Sequence, residues 1–353
     1  MRHERVFVTG GAGFIGSRLL KALDAAGASA LAYDSLIEQV HGPAANPPLA
    51  APLVRADIRD SDALAQALAE FEPTIVVHLA AETGTGQSAD EPVRYADVNV
   101  VGTARLIEAM KALPRPPRRV VLAATRAVYG EGAYRQADGR LVVPPPRRPA
   151  DLSQGRFDPT DEQGRPLEPV PTPETVAPVP GSVYGSTKLM QEYLLQQTPA
   201  PWDHVILRLQ NVYGPGQSLR NPYTGVLSIF CQQAMAGRTL NIFEDGRIYR
   251  DFVFVDDVVR AFMRACESPV AGGQVINIGT ARRAAIADVA ALILARLGLP
   301  AGRCRTSGDF RAGDIRHAVA DTTRAAALLE WHPEVEIEQG VAALVDWARA
   351  SPA

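Results

Sequence analysis

The chain has 353 residues, 46% of them hydrophobic and 21% charged, enough to bury a full core in two lobes or in one large domain with a smaller one appended. A formal net charge of −3 and a pI near 6.1 give no whole-chain attraction to nucleic acid or to acidic membranes, which excludes both as partners. Small phosphorylated ligands stay open, because a few local arginines suffice for them.

The charged start Met1-Arg2-His3-Glu4-Arg5 leads straight into a strand, and no apolar run is long enough for a membrane span, so the cytoplasm is the expected location. Strands are then predicted over residues 5–9, 29–33, 52–56, 74–79, 119–124 and 204–209. Helices are predicted between them, over 14–26, 61–70, 94–112 and 184–197, followed by a strand over 274–278 and a helix over 286–297. The alternation, with short β-branched strands, predicts an α/β fold: a Rossmann-type doubly wound parallel sheet covered on both faces. Between Pro144 and Pro180 there are 11 prolines in 37 residues, a density that excludes helix interiors and central strands. The stretch reads as a flexible surface insert, or as a lid or subunit contact beside the site. Cys231, Cys266 and Cys304 lie far apart without metal-ligand spacing, so free thiols and no metal site are expected.

The strand Val6-Phe7-Val8-Thr9 is followed by Gly10-Gly11-Ala12-Gly13-Phe14-Ile15-Gly16 and an amphipathic helix. Gly10, Gly13 and Gly16 allow a tight turn, close approach of a pyrophosphate and close helix–strand packing, and the helix N-terminus offers free N–H groups to phosphates. Asp34 ends the next strand 18 residues after Gly16, where a carboxylate can bind an adenosine ribose and repel a 2′-phosphate. Ser35, Leu36 and Ile37 follow, with no Arg or Lys, so NAD is expected over NADP.

Tyr184 and Lys188 form a Tyr-x-x-x-Lys pair, placed on one face of the predicted helix by their spacing. A tyrosine of pKa about 10 becomes a general base only if nearby positive charge stabilises its phenolate. Thr125 ends the strand before Arg126-Ala127-Val128-Tyr129-Gly130. With these residues the sequence resembles the extended short-chain dehydrogenase/reductases, the sugar-nucleotide epimerases and dehydratases. The resemblance covers nearly the whole chain: His78-Leu79-Ala80-Ala81, Asp57-Ile58, Asn99 before Val100-Val101-Gly102-Thr103, Arg208-Leu209-Gln210-Asn211-Val212-Tyr213-Gly214-Pro215, Arg250-Asp251-Phe252-Val253, Val255-Asp256-Asp257 and Asn277-Ile278-Gly279 all match in order. It implies catalysis by Thr125, Tyr184 and Lys188. It implies NAD bound by Gly10, Gly13, Phe14, Ile15, Gly16, Asp34, Asp57, Ile58, Leu79, Ala80, Ala81, Asn99, Tyr184 and Lys188. The implied division is an NAD-binding domain over 1–212, carrying the insert 131–180, and a smaller mixed α/β substrate lobe over 213–353, with 251–280 returning to the first.

The resemblance also implies a nucleotide-diphosphate sugar held by Arg250, Arg311 and Asn211, with Thr125 and Arg126 at the sugar. Arg316 and His317 read instead as a polar network tying a late loop to the body. Relatives that act as 4,6-dehydratases carry an acid pair after the threonine, where this chain has Arg126 and Ala127, so elimination has no evident proton donor. Epimerisation at C4 through a transient 4-keto sugar and tightly held NAD needs no such acid. Residues 80–88, 126–132 and 313–317 further resemble the dTDP-L-rhamnose 4-epimerase branch, although the insert lacks the Cys-x-x-Cys that some relatives carry there. A reductase or dehydrogenase of nucleotide sugars, or a UDP-sugar 4-epimerase, is the alternative. A non-catalytic NAD-binding sensor is disfavoured, because Thr125, Tyr184 and Lys188 are all present. A homodimer through the helices over 94–112 and 184–197 is expected from the family.

Overall fold

Aliphatic runs buried on both faces become the centre of the molecule. The computed structural model describes residues 1–43, 45–219, 225–311 and 313–351. In it β1 (Arg5–Thr9), β2 (Ser29–Asp34), β3 (Leu53–Arg55), β4 (Ile75–His78) and β5 (Arg119–Thr125) join strands Asp203–Leu209 and Gln274–Ile278. They form one parallel sheet of seven strands, ordered Gln274–Ile278, Asp203–Leu209, β5, β4, β1, β2, β3. Strand order reverses between β1 and β4, and a crevice opens at such a point beyond the carboxyl ends of the strands.

Alternation along β1 sorts its side chains between two cores. Val6 and Val8 meet Leu19, Leu20 and Leu23 of helix Phe14–Ala25 and Phe262 of helix Val255–Glu267 on one face. Phe7 meets Leu64 and Leu68 of helix Ser61–Phe71 and Leu106 of helix Gly102–Lys111 on the other. Each such side chain contributes roughly 1.5–3 kcal/mol by leaving water. A separate cluster joins helices Val226–Met235, Ile286–Leu297 and Ile337–Ala350 through Leu227, Phe230, Ile293 and Leu344. The Asp257 carboxylate ties it to the sheet's helices by accepting from Glu334 and Val335 N–H, each at 3.1 Å, while the Trp331 indole, in the sheet's own core, donates to the Asp257 carbonyl at 2.8 Å.

Two segments differ from the sequence expectation. The helix predicted over 94–112 is not uniform: an α-turn, Pro92–Tyr95, passes into a π-helical stretch, Ala96–Val101, before the α-helix Gly102–Lys111. The wider turn brings Asn99 inward, where its Oδ1 accepts from Glu82 N–H at 2.8 Å and its amide donates to Thr187 Oγ1 at 3.0 Å. Such single-turn expansions are rare and leave no mark on apolar periodicity.

The proline-rich insert is folded, where a loose surface loop was the first expectation. Tyr134–Arg135 pairs antiparallel with both Leu141–Val142 and Glu168–Pro169, the proline falling on an edge strand. The Thr172 N–H donates to the Val319 carbonyl at 2.8 Å, and Glu174 accepts from Asn277 N–H at 2.8 Å. Four buried charges close the seam. Arg147 reaches Glu131 at 3.2 Å and Glu244 at 2.8 Å, while Arg316 reaches Glu244 and Asp245 at 2.7 Å and donates its N–H to Glu131. Arg316 thus ties the late loop to the insert and the body. The contacts of Glu244 and Arg316 join residues 71 to 185 positions apart, which no local pattern announces.

Candidate active site

A cleft of about 710 Å³ runs along the carboxyl ends of the strands. One end is made by the glycine turn. Gly10 adopts φ +68°, and a Cβ there would sit 2.7 Å from the backbone nitrogen of Ala80, so only glycine fits without strain. A Cβ on Gly16 would collide with the carbonyl oxygen of Gly10. These absent side chains leave a backbone cradle beside the start of helix Phe14–Ala25, whose first turn carries no side-chain cap. That is the form of a pyrophosphate site.

Asp34 closes the far end. Its Oδ2 accepts from Ala12 N–H at 3.0 Å and its Oδ1 from Leu36 N–H at 2.9 Å, fixing a carboxylate on the cleft wall. Phe14, Ile15, Asp57, Ile58, Leu79, Ala80 and Ala81 line the same wall. Asn99 does not; it works behind the wall, bonding the chain after β4 to the Tyr184 helix. The donor set, the cradle and the ribose-facing acid together fit a dinucleotide.

The opposite end carries the reactive groups. Thr125 terminates β5, and its Oγ1 caps the following turn by accepting from Ala127 N–H at 3.2 Å. Ser182 caps helix Val183–Gln197, its Oγ accepting from Gly185 N–H at 3.1 Å, so Tyr184 stands in the first turn and Lys188 one turn on. The Tyr184 ring packs edge-on against Tyr95, centroids 6.4 Å apart, and the Tyr95 hydroxyl is itself tied to the Thr83 carbonyl at 2.7 Å. The Thr125 side chain stands near the Tyr184 phenol at the same end of the cleft. Burial pushes the Tyr184 phenol above its usual value, while Thr125 and the Arg126 charge pull it down.

Lys188 is buried, and burial pushes its ammonium down to about 7, against the pull of Glu192. It donates to Gln191 Oε1, and the Gln191 amide donates to Thr103 Oγ1 at 2.7 Å. Thr103 also meets His78 Nε2 at 2.8 Å, and His78 Nδ1 meets Thr9 Oγ1 at 2.7 Å. Burial pushes the His78 ring down to about 3, so it is neutral. One polar chain therefore runs under the cleft from Lys188 to β1. Gln191 escaped the sequence reading, although its i+3 spacing from Lys188 placed it on the same helix face.

The expected phosphate and sugar contacts separate. Arg126 and Asn211 line the cleft, and their side chains form no hydrogen bond or ion pair among the described residues. Burial and the like charge of Arg250 push Arg126 down to about 10, so it stands where an anion or acceptor would be welcome. Arg250 lies behind the wall, bonded to Asp314 Oδ1 at 2.9 Å and to the carbonyls of Ile315 and Arg316. Arg311 is exposed and lies over the Phe243 ring at 5.0 Å. Gln210, which the sequence reading did not single out, lines the cleft between Thr125 and Asn211.

Comparison with known proteins agrees with this geometry. Residues 6–152 and 160–279 match the NAD dependent epimerase/dehydratase family. The chain is 41% identical to a dTDP-L-rhamnose 4-epimerase of Burkholderia thailandensis, covering 98% of this chain and 94% of the relative. It is 35% identical to a UDP-glucose 4-epimerase of Mycolicibacterium smegmatis over 98% of each. A UDP-glucuronic acid 4-epimerase from Bacillus cereus, solved in complex with UDP-glucuronic acid and NAD, superposes with a TM-score of 0.78 at 27% identity, covering 98% of this chain and 99% of that one.

Proposed function

The chain belongs to the NAD-dependent epimerase/dehydratase family and uses NAD, and from that premise we propose that it inverts C4 of a nucleotide sugar. The observation that carries the reading is the juxtaposition of Thr125, Tyr184 and Lys188 at one end of the cleft, with Arg126 and Ala127 standing where dehydratases carry acids. The substrate we assign is a dTDP-6-deoxyhexose such as dTDP-L-rhamnose, supported by the relative at 41% identity. A UDP-sugar substrate is the second reading, favoured by the relative at 35%.

When bound, NAD supplies a reversible hydride acceptor for C4. The residues of the chain handle the proton. Tyr184 takes it from the C4 hydroxyl, and Thr125, beside the phenol, orients that hydroxyl. Because burial alone raises the Tyr184 value, the phenolate depends on nearby positive charge, which Arg126 supplies. Tyr184 returns the proton to O4 after the 4-keto sugar has turned. Gly10, Gly13, Gly16 and Asp34 hold the cofactor, and Asn211 and Arg126 the sugar nucleotide. Arg250 braces the 314–316 loop and Arg311 lies at its edge, so their phosphate contacts need that loop to turn inward.

We assign residues 1–212 with 251–280 to the cofactor unit and the remainder of 213–353 to the substrate lobe. Exposed Val93, Val101, Met190 and Tyr193 on segments Pro92–Tyr95, Ala96–Val101 and Val183–Gln197 support a homodimer through these segments, testable by sedimentation. No described helix is long and apolar enough to cross a membrane. The activity is tested by incubating the purified protein, without added cofactor, with dTDP-, UDP- and GDP-sugars and reading C4 by proton NMR. Tyr184→Phe should keep NAD and lose turnover. Conversion strictly dependent on added NADH would instead make it a net reductase.

A further inference from the structure

Gln210 is 5% exposed, yet its carboxamide forms no hydrogen bond with any described residue, and its Oε1 is wholly buried. Buried polar groups in folded proteins are almost always paired, so an orphan on a cleft wall points to a ligand. Its backbone explains why it cannot retreat. Leu209 is the register partner of Thr125, and the Gln210 N–H is held by the Ile278 carbonyl at 2.9 Å. The next residues, Asn211–Tyr213, leave the central sheet to pair with Phe252–Phe254. The side-chain stem lies against Gly279, where a Cβ would sit 2.6 Å from Gln210 Cγ. Gln210 lines the cleft, with its Oε1 turned into the wall.

The chemistry of the orphan selects its partner. With Oε1 shut into the wall, the amide N–H₂ is the group left for the cleft, and turning the carboxamide over presents the oxygen instead, so it suits a hydroxyl, which donates and accepts, better than a diphosphate, which only accepts. Gln210 directly follows Leu209, the register partner of Thr125 about one strand spacing (~4.8 Å) away, so it stands at the same end of the sheet as the group that binds O4. We propose that Gln210 is a specificity residue that hydrogen-bonds a ring hydroxyl of the sugar other than O4. The assignment rests on the nucleotide-sugar reading above. A carboxamide both donates and accepts, so it can serve a hydroxyl in either pose of a sugar that turns between two faces.

The test compares wild type with Gln210→Met, which keeps the shape of the side chain, and Gln210→Ala. The probe is the nucleotide sugar that wild type epimerises, beside its nucleoside diphosphate without sugar. The expected result is affinity for the nucleotide sugar weakened about ten- to a hundredfold, with nucleoside diphosphate affinity, bound NAD and Tm unchanged. Wild-type affinity and turnover in both variants would overturn the assignment, as would loss of bound NAD, which would mark a contact to the nicotinamide. An equal loss of affinity for the nucleoside diphosphate, or a fall in Tm in both variants, would overturn it by showing a structural role. If wild type turns over no sugar of the panel, the functional reading itself falls and this assignment with it.

Discussion

Lys188→Met should stabilise the cofactor-free protein while abolishing turnover. The ammonium is 3% exposed, and burial has pushed it from 10.5 to about 7. That gap corresponds to about 5 kcal/mol at 1.36 kcal/mol per unit. The sign follows from the direction of the shift. Below about pH 7 the lysine is charged in both folded and unfolded chains, so the folded state carries the whole burial penalty. As pH rises from 7 toward 10.5 the folded lysine is neutral while the unfolded one still binds a proton, and the penalty fades. Methionine removes the charge but leaves Gln191 Oε1 without its donor, a loss of about 1–3 kcal/mol. The net gain at pH 6 is therefore about 3 kcal/mol. At about 2.1 cal/mol/K per residue the chain's unfolding entropy converts this to roughly 4 °C in Tm. Calorimetry at pH 6 and pH 10 reads it: the variant should melt higher at pH 6, and the advantage should vanish or reverse by pH 10. A variant less stable than wild type at pH 6, or a difference independent of pH, would refute the reasoning.

Three other perturbations follow from the same geometry. Gly16→Ala drives a Cβ into the Gly10 carbonyl and should cost about 1–3 kcal/mol of stability together with the NAD that co-purifies; retention of stoichiometric NAD would show that the cradle tolerates it. Asp34→Ser removes the carboxylate bonded to Ala12 and Leu36 and should move the NADP-to-NAD affinity ratio at least tenfold toward NADP (on the order of 1.4 kcal/mol), read by titration calorimetry. Arg147→Met strips a partner from the buried carboxylates of Glu131 and Glu244 and should cost about 3–5 kcal/mol at pH 8. Burial already raises the Glu131 value, so that acid favours the folded state when protonated, and the deficit should shrink as pH falls toward 5; a deficit that grows on acidification would count against it.

The glycine turn, Asp34, Thr125, Tyr184 and Lys188 were legible in the sequence because each is set by a local rule. A strand feeding a helix through Gly10, Gly13 and Gly16 has few other physical uses, and a helical spacing of four fixes Tyr184 over Lys188. The parallel sheet was legible for the same reason, since strands buried on both faces must read as short apolar runs. The tertiary structure alone decided where the polar partners lie. Gln210 sits unmarked inside a matched motif, and only the departure of its strand from the central sheet leaves its carboxamide orphaned at the cleft. Arg250 and Arg311 looked like cleft residues in sequence; in the structure Arg250 is bonded to Asp314 and Arg311 lies over Phe243. The insert's prolines argued for looseness; Glu131, Arg147, Glu244 and Arg316 bind it instead through charges that meet only when distant segments pack. Backbone geometry is written in neighbouring residues, whereas the pairing of buried charges and amides depends on contacts across the whole chain.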